Sequence, residues 1–182
     1  MTKRVFVAII LFCCAGGCAQ REAPRSAESN SNGGARSSPA GDSGGPDRGR
    51  AVLRIEGGTV TVEYGRPALK GRDLEQMMRP GQEWRMGSNA ATTLSTDIDL
   101  KFGDRLVPKG DYVLKARLDD QRQWHLIVGK EGGEPAAEIP LSLGKADRSA
   151  ELLTIELLEK GKGGVLVLHW GDLILSTDFE KA

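Results

Sequence analysis

From Ala51 to Ala182 the chain is cut repeatedly by turn chemistry, and this punctuation constrains its fold more than any other feature. The breaks are Glu56-Gly57-Gly58, Phe102-Gly103-Asp104, Lys109-Gly110-Asp111, Asp119-Asp120-Gln121, Gly132-Gly133 and Lys162-Gly163-Gly164. Between them lie short apolar, β-branched stretches. Turn signals spaced about 8–12 residues apart are the pattern of an all-β sandwich or barrel. A stretch of roughly 130 residues suits one domain, able to bury about two-thirds of its unfolded surface.

The residue alternation agrees. Thr59 to Tyr64 has period two and places Val60, Val62 and Tyr64 on one face of a strand. Tyr112, Leu114 and Ala116 alternate against Val113, Lys115 and Arg117, and Trp124, Leu126 and Val128 share a face of Gln123 to Val128. Leu152 to Leu158 and Val165 to Trp170 are denser in apolar residues, as expected of central strands, and Leu173 to Phe179 would close a sheet. Leu152 to Lys160 also scans as a helix, but the strand reading is preferred. Thr92, Thr93, Ser95 and Thr96 read as a solvent-facing strand. Only Ala68 to Met78 lacks a strand pattern. It has room for one short helix with Leu69, Leu74, Met77 and Met78 facing the core. The expected fold is an antiparallel β-sandwich, jelly-roll or immunoglobulin-like.

The N-terminus carries a separate signal. Lys3 and Arg4 precede an unbroken apolar run from Val5 to Phe12, followed by Ala15-Gly16-Gly17-Cys18. Val5 to Ala15 is about eleven residues, well short of the ~20 needed to span a bilayer as a helix. The order resembles a bacterial lipoprotein signal peptide over residues 1–17, with cleavage before Cys18 and lipid on its thiol. Secretory cleavage nearby, for instance after Ala19, is the alternative. Each buried acyl CH₂ contributes about 0.8 kcal/mol, so several chains on one residue make a near-permanent anchor. Ala19, rather than Asp, follows the cysteine. By the same resemblance this favours the periplasmic side of the outer membrane if the source has two membranes. All three cysteines, Cys13, Cys14 and Cys18, lie in or at the end of this leader. Nothing beyond Cys18 offers a disulfide, a thiolate metal site or a cysteine nucleophile.

Residues 18–50 follow as a tether. Ala19 to Arg50 contains no Val, Ile, Leu, Met, Phe, Trp or Tyr. Such a stretch cannot bury enough apolar area to offset its chain entropy. As a flexible coil it would reach about 30 Å, enough to hold a domain at 51–182 clear of lipid headgroups.

Several stretches of the domain carry a resemblance. They are Tyr64-Gly65-Arg66-Pro67, Lys70-Gly71-Arg72, and the run from Gly81 through Trp84-Arg85-Met86-Gly87-Ser88-Asn89 to Leu94. Together they resemble the core signature of bacterial domain of unknown function 2911. Leu106 to Tyr112 resembles a hairpin of that family, and Leu153-Thr154-Ile155-Glu156 and Val167-Leu168-His169-Trp170 resemble its closing strands. The resemblance covers about Val52 to Phe179. It implies an exported, β-rich domain and leaves the activity open. Three positions depart from the family pattern. Ala90 stands where members often have Glu, Pro80 where an aromatic residue often precedes the glycine, and Met86 where Thr is common. Any acid–base role of that Glu in relatives is missing from this chain.

Arg66, Arg72, Trp84, Arg85 and Asn89 are the candidate ligand-binding residues. Arginine suits bidentate contact with carboxylate or phosphate, so a cluster would hold an anionic ligand such as a sugar acid or a peptide carboxylate. The competing reading is turn-fixing: Arg66 precedes Pro67 at a strand end, and Asn89 suits a turn. Trp84, Trp124 and Trp170 would form a sugar-stacking platform, or pack in the core and at its rim. His125 and His169 each abut a tryptophan but lie on the opposite face, and no HxH or HxxxH spacing supports a metal. Glu63, Asp119, Asp120 and Glu156 are the acids available for a paired-carboxylate hydrolase. No catalytic residue, metal or cofactor is assigned.

The chain has 25 basic and 25 acidic residues. The part from Ala51 onward keeps 18 basic and 21 acidic, which supplies no basic footprint for nucleic acid. No Gly-rich phosphate loop of Walker or dinucleotide type is present. The leading expectation is an exported, membrane-anchored lipoprotein whose β-domain binds a small ligand, a glycan or an envelope partner. The rival is an assembly lipoprotein that pairs with a partner through its edge strands. A hydrolase comes third.

Overall fold

A computed structural model describes residues 47–182. The leader, Cys18 and the tether up to residue 46 lie outside the described residues. Among the described residues eleven strands build two antiparallel sheets, and there is one short helix. The larger sheet runs in the order β1 (Arg48–Ile55), β2 (Gly58–Gly65), β4 (Thr92–Thr96), β7 (Gly110–Leu118), β8 (Trp124–Gly129), β9 (Pro135–Pro140). The two-residue β3 (Glu83–Trp84) pairs with the far half of β7, beyond β4. The smaller sheet orders β10 (Ser142–Lys160), β11 (Gly163–Lys181), β5 (Leu100–Phe102), β6 (Arg105–Val107).

Alternation carries the sandwich. Val60, Val62 and Tyr64 on β2, Leu114 and Ala116 on β7, and Trp124, Leu126 and Val128 on β8 all point inward and are buried. They form one core with Leu153, Ile155 and Leu157 of β10 and Leu166, Leu168 and Trp170 of β11. At one end Phe102 and Phe179 meet with ring centroids 5.5 Å apart. Leu152 to Lys160 is therefore a strand. It is also the second half of a longer one, because β10 continues back to Ser142 and bends at register shifts against β11 on both sides of Ala150. The hairpin at the other end closes on Gly161-Lys162, with Gly161 at φ 59°, the left-handed backbone that favours glycine.

Several details differ from the expectations of alternation and composition. β1 starts at Arg48, ahead of the first apolar residue. Gly49 opposes Tyr64 across the β1–β2 pair, and the Tyr64 ring occupies the space a Cβ would need. This strand position is a glycine because an aromatic side chain lies over it. Thr92 and Thr96 are buried rather than solvent-facing. Their hydroxyls donate to Met86 O at 3.0 Å and Ile98 O at 2.7 Å, and this pairing makes burial tolerable. Leu106 to Tyr112 is no hairpin: β6 belongs to the smaller sheet and β7 to the larger, so this segment crosses between them. The helix, α1 (Leu74–Met77), is a single turn, and Met77 is 38% exposed while Met78 is buried.

Gly65 ends β2 directly against the loop after β3. A Cβ there would collide with the backbone carbonyl of Ser88. Gly65→Ala should therefore lower the unfolding free energy by about 2–4 kcal/mol, in the range of overpacking and backbone clashes. Gly81→Ala meets no atom within 4 Å and carries only the strain of φ 77°, about 1 kcal/mol. Urea unfolding of the two variants measures the difference; equal midpoints would contradict the Gly65 contact.

Candidate functional site

Beyond Gly65 the chain leaves the larger sheet and joins the smaller one. Arg66 N still donates to Asp47 O at 3.0 Å. Then Leu153 N donates to Pro67 O (3.1 Å), Ala68 bridges Leu152, and Leu69 N donates to Glu151 O (2.6 Å). Lys70 N donates to the Glu151 carboxylate at 2.9 Å. Lys70 and Gly71 both have positive φ, 51° and 68°, and Arg72 N donates to Leu69 O at 3.0 Å. Those values define a tight primed turn, which the Lys-Gly pair permits.

Arg72 folds back over this turn. Its Nε donates to Leu69 O at 3.0 Å, its Nη2 donates to Ala68 O, and its guanidinium carbon sits 5.6 Å from the centre of the Trp170 ring. Trp170 in turn stacks on Trp84, with centroids 5.8 Å apart and planes 12° from parallel. Trp84 and Trp170 thus spend their faces on each other, and no three-tryptophan sugar platform forms. Asp73 begins the helical turn, accepting from Gln76 N (3.4 Å) and from Gln76 Nε2 (2.9 Å).

An open cleft of about 620 Å³ lies beside this segment. Leu69, Leu74 and Met78 form one wall; Leu118, Arg122 and Trp124 come from the β7–β8 connection; Leu143, Lys145 and Leu173 come from the far end of the β10–β11 ribbon. The volume falls within the range of small-molecule sites. Arg72 is the one residue of the Arg66, Arg72, Trp84, Arg85 and Asn89 set that lines it. Arg66 is half-buried at the end of β2. Arg85 Nη1 donates to Asn89 O at 2.9 Å, and Met86 and Asn89 take positive φ of 54° and 61°. Arg85 and Asn89 therefore brace the loop that presses on Gly65. The sequence offers Trp124 as a strand-face residue and as part of the platform, and singles out none of Arg122, Leu143 and Lys145. Arg122 sits in a recognised turn at φ 62°, but nothing in its residue type marks it as a cleft residue.

The loop that carries Arg122 is held by Asp119. Its Oδ1 accepts from Gln123 N at 2.7 Å, Arg122 N donates to its backbone carbonyl at 3.0 Å, and its Oδ2 is 2.9 Å from His125 Nε2. On the other side of the ring, His125 Nδ1 lies 3.4 Å from Glu138, which also pairs with Arg117. Because the two carboxylates bracket opposite ring nitrogens, they do not converge with His125 on one ion. No group of three or more metal-ligating side chains is found among the described residues. His169 Nε2 lies 3.1 Å from Gly171 O. Of the other acids, Glu63 pairs with Arg50 at 3.5 Å on the larger sheet, whereas Glu156 is exposed on β10 of the smaller one.

The Gln123 amide, followed by His125, holds the Asp119 carboxyl below its ordinary value of 3.8. A carboxyl depressed by folding contributes stability above its unfolded value and loses it as the pH falls through the lower native one. Asp119→Asn should therefore be less stable than the wild type at pH 6, and the gap should close as the pH drops below about 3.8. Urea midpoints across that range check this; a gap that is constant with pH would contradict it.

No curated protein and no solved structure matches the chain. One family model does match, over residues 47–179, from the residue ahead of β1 almost to the end of β11. It is described as a protein of unknown function, DUF2911. The matched span takes in both sheets, the 66–70 crossing and every residue that lines the cleft, and the chain belongs to that family.

Proposed function

We propose that this is an exported, membrane-anchored lipoprotein whose β-sandwich binds a small ligand in the cleft beside Trp124. The observation that carries the binding reading is the cleft itself: an open concavity with leucine, methionine and tryptophan on its walls and Arg72, Arg122 and Lys145 among its lining. The anchoring reading rests on the leader that ends in Gly17-Cys18 and on the apolar-free tether behind it. Under the two-membrane assumption, the residue after Cys18 favours the periplasmic face of the outer membrane.

Binding through edge strands has less support. β9 begins and ends in proline, β6 is three residues long, and the outer half of β10 is irregular and carries Lys145, Asp147, Arg148 and Glu151. Those features blunt three of the four sheet edges against strand addition and leave the eight-residue β1 as the edge such a partner would use.

Two measurements test the reading. The mature protein should partition into the detergent phase and Cys18→Ser should move to the aqueous phase; identical partitioning would reject the anchor. In a thermal-shift screen of small molecules, a binder at about 100 times its Kd should stabilise the domain by about 2.7 kcal/mol. Leu143→Glu, at a position 61% exposed on the cleft wall, should abolish that shift without lowering the unliganded Tm. A shift retained in this variant would place the ligand elsewhere.

A further inference from the structure

We infer that the cleft's ligand is an anionic amphiphile: an acyl-type body on the exposed leucines and a carboxylate or similar monoanion met by Arg122 and Lys145. This rests on the reading of the cleft as the ligand site and adds the chemistry of the occupant. Five charged residues line the cleft: Arg72, Arg122 and Lys145 against Asp73 and Asp172.

Two of the five are already engaged. The Arg72 guanidinium is held by two carbonyls of its own turn and lies against Trp170. The Asp73 carboxylate is the cap of α1. That leaves Arg122 and Lys145 as two cations, neither in an ion pair among the described residues, against the single acid Asp172. An excess of one unengaged positive charge favours a monoanion and disfavours cations.

The apolar part of the argument is independent of charge. Leu143 is 61% exposed, an expensive position for a large apolar side chain on a strand that is otherwise polar or small over its outer half. It faces the same cleft as the partly exposed Leu69, Leu74 and Leu173, whereas the lining residues Trp124, Leu118 and Met78 are themselves buried. A sugar or a small dianion would leave the leucine surfaces wet. An acyl body covers them, while its head is met by the exposed, flexible side chains of Arg122 and Lys145. Arg122 is brought there by a left-handed backbone, φ 62°, in the loop fixed by Asp119. Backbone in this region has a cost that accumulates where function requires it.

The test uses decanoate below its micellar concentration, decanol below its solubility limit, and acetate, with isothermal calorimetry on the domain in its mature form. Decanoate should bind, decanol should bind at least about tenfold more weakly for want of charge-assisted hydrogen bonds, and acetate should show no heat. The double variant Arg122→Asn, Lys145→Gln should bring decanoate to the level of decanol. Asn is chosen because it tolerates positive φ, so the loop survives. Leu143→Glu should abolish binding of both. If decanol binds as tightly as decanoate, or acetate as tightly as either, the amphiphilic-anion assignment falls and the cleft reading stands. If no probe binds but a screened compound does so at the cleft, the assignment falls in the same way. If nothing binds, or binding is indifferent to all three substitutions, both fall.

Discussion

The structure on the cleft side depends on one crossing. Arg66 to Lys70 leaves the larger sheet at Gly65 and hydrogen-bonds to Glu151–Leu153 of the smaller one. Each such bond contributes only about 1 kcal/mol net. Their importance is geometric. Without them nothing fixes where the Lys70-Gly71 turn lies, and that turn places Arg72 over Trp170 and sends Leu74 and Met78 to the cleft wall. The crossing is held from behind by backbone packing, since Gly65 lies on Ser88 and Gly87 lies on Gly65 with no side chain between them. Arg85 and the left-handed Met86 and Asn89 shape the loop that makes this contact.

The aromatic residues divide between two tasks. Trp170 is nearly fully buried and takes Trp84 as a stacking partner and Arg72 as a cation near its ring. It joins β3, the 66–72 turn and β11, three segments that share no continuous ladder. Trp124 instead packs into the core and still borders the cleft. Arg72 and Trp84, both candidates for ligand contact, contribute first to this internal joint.

Much of the sandwich was legible in the sequence because period-two burial requires it. Val60-Val62-Tyr64, Leu114-Ala116 and Leu126-Val128 have no other arrangement that hides them all on one side of a sheet. What stayed illegible depended on particular contacts that composition does not name. The strand position 49 is a glycine because the Tyr64 ring lies over it, and Thr92 and Thr96, on the inner face with Leu94, are accommodated there because the carbonyls of Met86 and Ile98 accept from their hydroxyls. The register shifts that bend β10 leave no compositional mark. The site was legible only in part. Arg72 and Trp124 were visible as residue types with binding chemistry. Arg122, Leu143 and Lys145 reach the cleft through a turn conformation and a bulged ribbon, which single residue identities do not encode.

Native-state hydrogen exchange on the 66–70 crossing tests the account most directly. If the crossing is the tie between the sheets, the amides of Leu69, Lys70 and Leu153 exchange only with global unfolding, at the free energy of the β7–β8 core amides. If they exchange instead through local opening, at free energies typical of the Gly132-Gly133 loop, the crossing is a loosely laid connection and the cleft beside it is not a preformed site.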